Sequence, residues 1–382
     1  MATQHYDALV PGSGQASTPL ASHLKGLGLS ACPVQRSHIA GCCVNEGCTL
    51  TKTMVASGRV AYLARRAREC GIHPGHGDIK VDMQKVRQRK RDIVTSFRGN
   101  SDRRLKDAGV DVLMGEANFT GENEVLIELS GGGEKKLSAD KIYINLGCQP
   151  SRPNIPGLAS LDQSRVLDFT SIQELGEVPG HLVILGGGHI GLEFGQLFRR
   201  LVAKATIIYR ASKDPELPIS ISVTTNPKTT LSVRASHILA TGRIPNTETL
   251  GLDMVGIKTT PLGHIITTPT LSTNVDGVFV LGDVKDGPAF THISYDDFRI
   301  IRNNLTTQNY KTQGAVKTTN ERATYIPSVE YTDPQFAHIE PKFGDLKTFA
   351  KGRNLGDETK RLLKAVVDEG TGQILSFSAL RS

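Results

Sequence analysis

Two β-α-β modules in tandem, within a larger α/β chain, are what this sequence predicts, and three observations carry the prediction. An apolar stretch from Tyr6 runs into the turn Gly12-Ser13-Gly14-Gln15-Ala16-Ser17 and on to Arg36. A second stretch, His181 to Arg210, repeats the plan around Gly186-Gly187-Gly188-His189-Ile190-Gly191. Between them lie a long helical segment, Thr51 to Ala108, and a β-rich return that includes Val125 to Leu129 and Lys141 to Leu146.

Each turn has the logic of a dinucleotide-binding loop. The first two glycines let the backbone turn and approach a pyrophosphate at a helix N-terminus, and the third allows close helix-strand packing. The second turn has all three, Gly186, Gly188 and Gly191; the first has Gly12 and Gly14 but Ser17 in third place, and Pro11 before it. Gln35 stands where an acid would hold ribose hydroxyls, a change worth about 1 kcal/mol, or fivefold in affinity. Arg210 ends the second module and favours the 2'-phosphate of NADP over the bare ribose of NAD.

Length and composition agree with several domains. The 382 residues exceed one ordinary core, and no apolar run approaches the ~18 residues of a membrane span. With no leader-like N-terminus, a soluble cytoplasmic protein without membrane attachment is expected. The net charge of +7 comes largely from residues 59–107, with fourteen Lys or Arg against six Asp or Glu. No aromatic residues interleave among Arg65, Arg66, Arg68, Arg87, Arg89, Lys90 and Arg91, so the run reads as a solvated helical face, not a nucleic-acid surface.

Six cysteines do not make a disulfide scaffold. Two of them, Cys43 and Cys48, lie in Gly41-Cys42-Cys43-Val44-Asn45-Glu46-Gly47-Cys48-Thr49-Leu50-Thr51-Lys52, six residues after Gln35. A helix beginning near Cys48 would favour its thiolate, and the pair reads as redox-active.

With this motif, Gly186 to Phe194, Ala240-Thr241-Gly242-Arg243-Ile244-Pro245-Asn246, Leu281-Gly282-Asp283 and Tyr331-Thr332-Asp333-Pro334-Gln335 in order, the sequence resembles the class I pyridine nucleotide-disulfide oxidoreductases, the group of glutathione reductase, dihydrolipoamide dehydrogenase and mercuric reductase. The resemblance implies two tandem Rossmann-like domains and a truncated α+β dimerisation domain. It places an FAD domain at 1–150 and 246–320, a shortened NAD(P) domain at 151–245 and part of a dimerisation domain at 321–382. Gly12, Gly14, Ser17, Gln35, Gly41, Cys42 and Asp283 would surround FAD, and Gly186, Gly188, Gly191, Arg210 and Gly242 the nicotinamide nucleotide. Cys48 would be the sulfur stacked on the flavin and Cys43 the interchange thiol, joined as a disulfide; Lys52, one turn beyond Cys48, would stand near flavin N5 with Glu193 as its ion-pair partner.

The implied activity moves electrons from NADP or NAD through FAD to a small-molecule acceptor in a homodimer; the alternative is a flavin-binding pseudoenzyme or accessory protein. Departures from the pattern lower the expected turnover. Only 54 positions separate Gly186 from Ala240, the segment Ala211 to Thr225 reads as loop, and a helix and at least one strand are expected to be missing. His189 replaces the aromatic residue that gates nicotinamide entry. The family's C-terminal His-Glu pair is expected beyond Ser382, and loss of such a proton shuttle costs roughly 10²- to 10⁴-fold in rate. His292 and His338 are expected to be packed or surface residues, and Cys42 to offer competing disulfide chemistry.

Overall fold

A computed structural model describes residues 2–73, 78–208, 236–310, 315–322, 326–340, 347–350, 362–367 and 374–381. The chain divides into two compact units: residues 1–50, 91–149 and 243–321, and residues 51–90, 150–242 and 322–382.

The first unit is built on a six-stranded sheet. Strand β1 (Gln4–Pro11) leads through the first glycine turn into helix α1 (Ser17–Gly26) and strand β2 (Ala31–Gln35), parallel to β1. Ala8, Leu9 and Val10 are at most 1% exposed, as expected of a parallel strand covered on both faces. After the short helix α2 (Gly41–Asn45), the helix α3 (Cys48–Arg66) and the helix α4 (Met83–Asp107), strands β3 (Leu113–Gly121), β4 (Glu124–Leu129) and β5 (Glu134–Ile144) form an antiparallel meander. Alternating burial along β4 and β5 puts Val125, Ile127, Leu137 and Ala139 in the core. β5 then runs parallel beside β1, and further on pairs with the last strand of this sheet.

The second unit has a parallel four-stranded sheet. The short strand β6 (Cys148–Pro150) precedes it in the chain. Strand β7 (Val166–Asp168) and strand β8 (His181–Leu185) are followed by helix α5 (His189–Arg200) and strand β9 (Lys204–Ile208). Strand β10 (Ser236–Leu239) inserts between β7 and β8. The chain returns to the first unit with β11 (Arg243–Pro245), β12 (Val278–Val280), which is parallel to β5, and helix α6 (Thr291–Tyr310). Five strands of the second unit form an antiparallel sheet in the order β13 (Ile326–Glu330), β14 (Gln335–Glu340), β17 (Ile374–Arg381), β16 (Leu362–Val367), β15 (Lys347–Ala350). Among the described residues no helix is long and apolar enough to cross a membrane.

The basic run is not simply a solvated face. Arg65, Arg68, Arg89 and Arg91 are exposed as expected, but Lys90 is 1% exposed, with Nζ donating to Gln173 O at 2.8 Å and paired with Glu174. Arg87 donates to Glu174 O (2.8 Å) and Arg89 to Thr53 O (2.9 Å). Helical periodicity turns Lys90 to the inward side, where a carboxylate and a carbonyl compensate the charge a buried ammonium needs balanced.

Candidate functional site

In the first unit the glycine turn is held by one residue, Asn145, through both its backbone and its side chain. A Cβ on Gly12 (φ +95°) would lie 2.2 Å from Asn145 O, and one on Gly14 would lie 2.4 Å from Asn145 Oδ1. Asn145 follows β5 directly, so the turn packs on the end of the central sheet. Its Oδ1 accepts from Ser17 Oγ at 2.9 Å and its Nδ2 donates to Leu281 O at 2.6 Å. The serine in third place is thus accommodated by an acceptor across from it. Asn145 latches the turn to the loop carrying Gly282 and Asp283, and Asp297, fully buried, fixes that loop from the other side by accepting from Gly282 N (2.7 Å) and pairing with Lys285 (3.3 Å).

Gln35 at the end of β2 accepts from Ser13 N (2.9 Å) and Ser13 Oγ (2.7 Å), so its side chain is fixed against the turn. The N-terminus of α1 has no side-chain cap and no acid in its first turn. Its first N–H groups and the absence of negative charge in that turn fit the phosphates of a dinucleotide.

The cysteine motif folds onto the same turn. Ala40 and Gly41 both take positive φ (82° and 66°), and a Cβ on Gly41 would lie 2.7 Å from Gly14 Cα. α2 is closed by Asn45, whose Nδ2 donates to Ile39 O (2.8 Å) and Gly41 O (2.9 Å) while its Oδ1 accepts from Arg98 Nε (2.9 Å). Cys43 on α2 and Cys48 at the start of α3 are brought within side-chain hydrogen bonding as thiols. The hydrogen bond that the Cys43 S–H donates to Cys48, together with burial, raises the Cys43 thiol well above its ordinary range, while a hydrogen bond from Thr291 Oγ1, 3.1 Å from Cys43 Sγ, opposes the rise. Thr291 Oγ1 is also 3.8 Å from Cys48 Sγ.

Cys42 lies beside this pair as a third thiol: burial pushes it up to about 12, with a further rise from Glu46. Around it, Arg243 Nη1 pairs with Asp283 Oδ2 at 2.8 Å and Arg243 Nη2 donates to Ala289 O at 3.0 Å. Cys148 Sγ donates to Asp283 O at 2.9 Å. Asp283 is therefore held on both its carboxylate and its backbone.

The second unit holds the remaining predicted residues. A Cβ on Gly186 (φ +118°) would lie 2.1 Å from Ala240 O and one on Gly191 2.2 Å from Gly186 O, whereas Gly188 faces open space. α5 begins at exposed His189, again without side-chain cap or first-turn acid. Gly242 (φ +115°) accepts from Ser151 N at 3.0 Å. Arg210, the segment Ala211 to Thr225 and the His338 side chain lie outside the described residues; His292 is exposed and stacks on Phe290 at 5.3 Å.

Lys52 and Glu193 meet through a third residue. The Lys52 ammonium lies 4.2 Å from the centroid of the Tyr331 ring, and buried Glu193 accepts from Tyr331 N at 2.8 Å. One face of α5 continues the grip: Gln196 bonds Asp333 N (2.6 Å) and Asp333 O (2.9 Å), and Arg200 pairs with Asp333. Sequence reasoning missed Asn145, Thr291 and the bridging part of Tyr331. A polar residue ending the apolar run Ile142-Tyr143-Ile144 is a legible signal for the first; the second carries none beyond a helix-starting threonine.

Comparison with known proteins finds the pyridine nucleotide-disulphide oxidoreductase family matching residues 6–214 and 211–297. The chain is 29% identical over 370 residues to a mercuric reductase of Bacillus cereus, covering 87% of this chain and 56% of that protein, and 30% identical over 369 residues to one of Staphylococcus aureus, covering 87% and 64%. The chain thus spans under two thirds of the length of these two relatives. It is 28% identical over 421 positions to the probable pyridine nucleotide-disulfide oxidoreductase RclA of Escherichia coli, covering 98% of this chain and 89% of RclA. Among solved structures, the Cu(II) complex of the HOCl-induced flavoprotein disulfide reductase RclA of Escherichia coli superposes with a TM-score of 0.82 at 25% identity, covering all of this chain and 90% of that one.

Proposed function

Because this chain belongs to the pyridine nucleotide-disulphide oxidoreductase family, we propose that it is an FAD-dependent oxidoreductase carrying electrons from NAD(P)H to a Cys43–Cys48 disulfide and on to a small-molecule acceptor. The observation that carries this reading is the side-chain contact of Cys43 and Cys48 in the unit that also holds the Gly12–Ser17 turn. FAD bound there supplies two-electron transfer between the nicotinamide and the sulfurs.

The chain's own part is binding, orientation and proton placement. The N-terminus of α1 receives the phosphates, Gln35 the adenosine ribose, and Asp283 the ribityl region, with Arg243 limiting the charge that Asp283 presents. Reduction of the disulfide breaks the S–S bond and takes up two electrons and two protons, leaving Cys43 and Cys48 as thiols. Two tandem Rossmann-like modules followed by a dimerisation domain give the layout, and β13 to β17 supply the last.

Turnover with NAD(P)H is low in this reading. The alignment with RclA runs over 421 positions against the 382 residues of the chain, so it opens gaps in this chain, consistent with a shortened nicotinamide module. The same gaps favour the second reading, a flavin-binding protein without nicotinamide-driven turnover. Arg210 makes NADP the preferred donor. An absorption spectrum of the purified protein before and after NADPH separates the two: bleaching of bound flavin supports the oxidoreductase, stable flavin bands support the binding role, and a colourless protein that takes up no FAD removes both.

A further inference from the structure

Two sulfurs and one hydroxyl meet at the start of α6. Thr291 opens that 20-residue helix, with Oγ1 at 3.1 Å from Cys43 Sγ and 3.8 Å from Cys48 Sγ. The side-chain hydrogen-bond partners of the Cys43 sulfur are Cys48 and Thr291. The backbone leading to Thr291 is fixed: Ala289 O accepts from Arg243 Nη2 at 3.0 Å and Phe290 O accepts from Ser294 N at 3.0 Å. A β-branched side chain on a fixed backbone has few rotamers, so the hydroxyl stays beside the sulfurs while its O–H bond turns freely.

We propose that Thr291 is a catalytic residue of this site, its hydroxyl donating to whichever of Cys43 and Cys48 carries the thiolate. The proposal rests on reading these two cysteines as the reactive pair. When the dithiol loses one proton, one sulfur is left charged and the other keeps its S–H. A thiol is a weak donor, whereas a hydroxyl donating to an anion makes a bond roughly twice as strong as a neutral one. The 3.1 and 3.8 Å separations let the same hydroxyl serve either sulfur with a small shift and no change of fold.

The N–H groups at the start of α6 add partial positive charge on the same side. Cys42 on α2 acts on Cys43, and Glu46 and the Arg243–Asp283 ion pair act in turn on Cys42. Arg243 is engaged by Asp283, and the Thr291 hydroxyl, within reach of both sulfurs, is a donor that can follow the charge.

The test is the pH dependence of alkylation by iodoacetamide, read cysteine by cysteine by peptide mass spectrometry on the reduced full-length chain, with exposed Cys70 as internal reference. Thr291→Val keeps the shape and removes the hydroxyl. It is expected to raise the midpoint for the Cys43–Cys48 pair and to slow its alkylation at neutral pH by about tenfold, the size of one charge-assisted hydrogen bond, with Cys70 unchanged. Thr291→Ser is expected to keep the wild-type profile, and a Ser-against-Ala comparison carries the same contrast if the valine variant does not fold. Identical profiles for wild type and Thr291→Val, or for Ser and Ala, would overturn the proposal. Alkylation reads the thiols whether or not flavin reduces them, so failure of NADPH turnover with the shift present refutes the function above and leaves the role of Thr291 standing.

Discussion

The two glycine turns follow one plan and are held by different physics. The second closes on backbone alone: Gly191 packs on Gly186 O and Gly186 on Ala240 O, both so near that no side-chain atom fits. The first shares the backbone contact, Gly12 packing on Asn145 O as Gly186 does on Ala240 O, but beyond it Gly14 and Ser17 face the Asn145 side chain. Asn145 fills the space beside Gly12 and Gly14, and its amide gives Ser17 an acceptor and Leu281 O a donor. A backbone-packed turn demands glycine at the third position, while a turn facing an amide tolerates a hydroxyl there. The serine at position 17 is therefore accommodated by Asn145, which accepts from its hydroxyl.

Substitutions that break this contrast are ordered by size. Gly191→Ala puts a methyl 2.2 Å from a backbone carbonyl that cannot yield cheaply, so a loss of more than about 3 kcal/mol is expected; denaturant unfolding with both units probed reads it, and a loss below 1 kcal/mol would show that the second turn adapts. Asn145→Leu strands the Ser17 hydroxyl and the Leu281 carbonyl in a buried place, at a cost of about 2–3 kcal/mol, and FAD titration should weaken in parallel because the latch to the Asp283 loop is gone. Ser17→Ala leaves only one acceptor lone pair unmet and is expected to cost about 1 kcal/mol by thermal melting. A cost equal to that of Asn145→Leu would mean that the asparagine acts through the serine alone.

The smallest change runs the other way. Gln35→Glu keeps the oxygen that accepts from Ser13 N and Oγ and adds charge, making those bonds charge-assisted. FAD affinity should rise about fivefold, or about 1 kcal/mol, in a fluorescence titration. Unchanged affinity would show that Gln35 serves the turn and not the ribose.

Spacing made the turns and the thiol motif legible because glycine positions and paired cysteines are local, and local pattern survives without knowledge of the fold. Lys52 and Glu193 were expected as an ion pair, and their contact with Tyr331 was not legible: Tyr331 lies 138 residues from Glu193 in the chain, and it takes an ammonium on its ring and gives an N–H to the carboxylate. Lys90 was misread for the opposite reason. Composition marks a basic run as solvated, but only packing shows which cation faces inward toward Glu174. Thr291 sits 248 residues from Cys43, and no periodicity in one segment can announce a partner so far away.

Anaerobic dithionite titration of the FAD-loaded protein, followed by alkylation and peptide mapping, tests the central claim most directly because it bypasses the nicotinamide module. Electron uptake beyond what the flavin alone holds is predicted, with Cys43 and Cys48 alkylated only after reduction. Uptake that stops at the flavin, with Cys43 and Cys48 alkylated equally before and after, would contradict it.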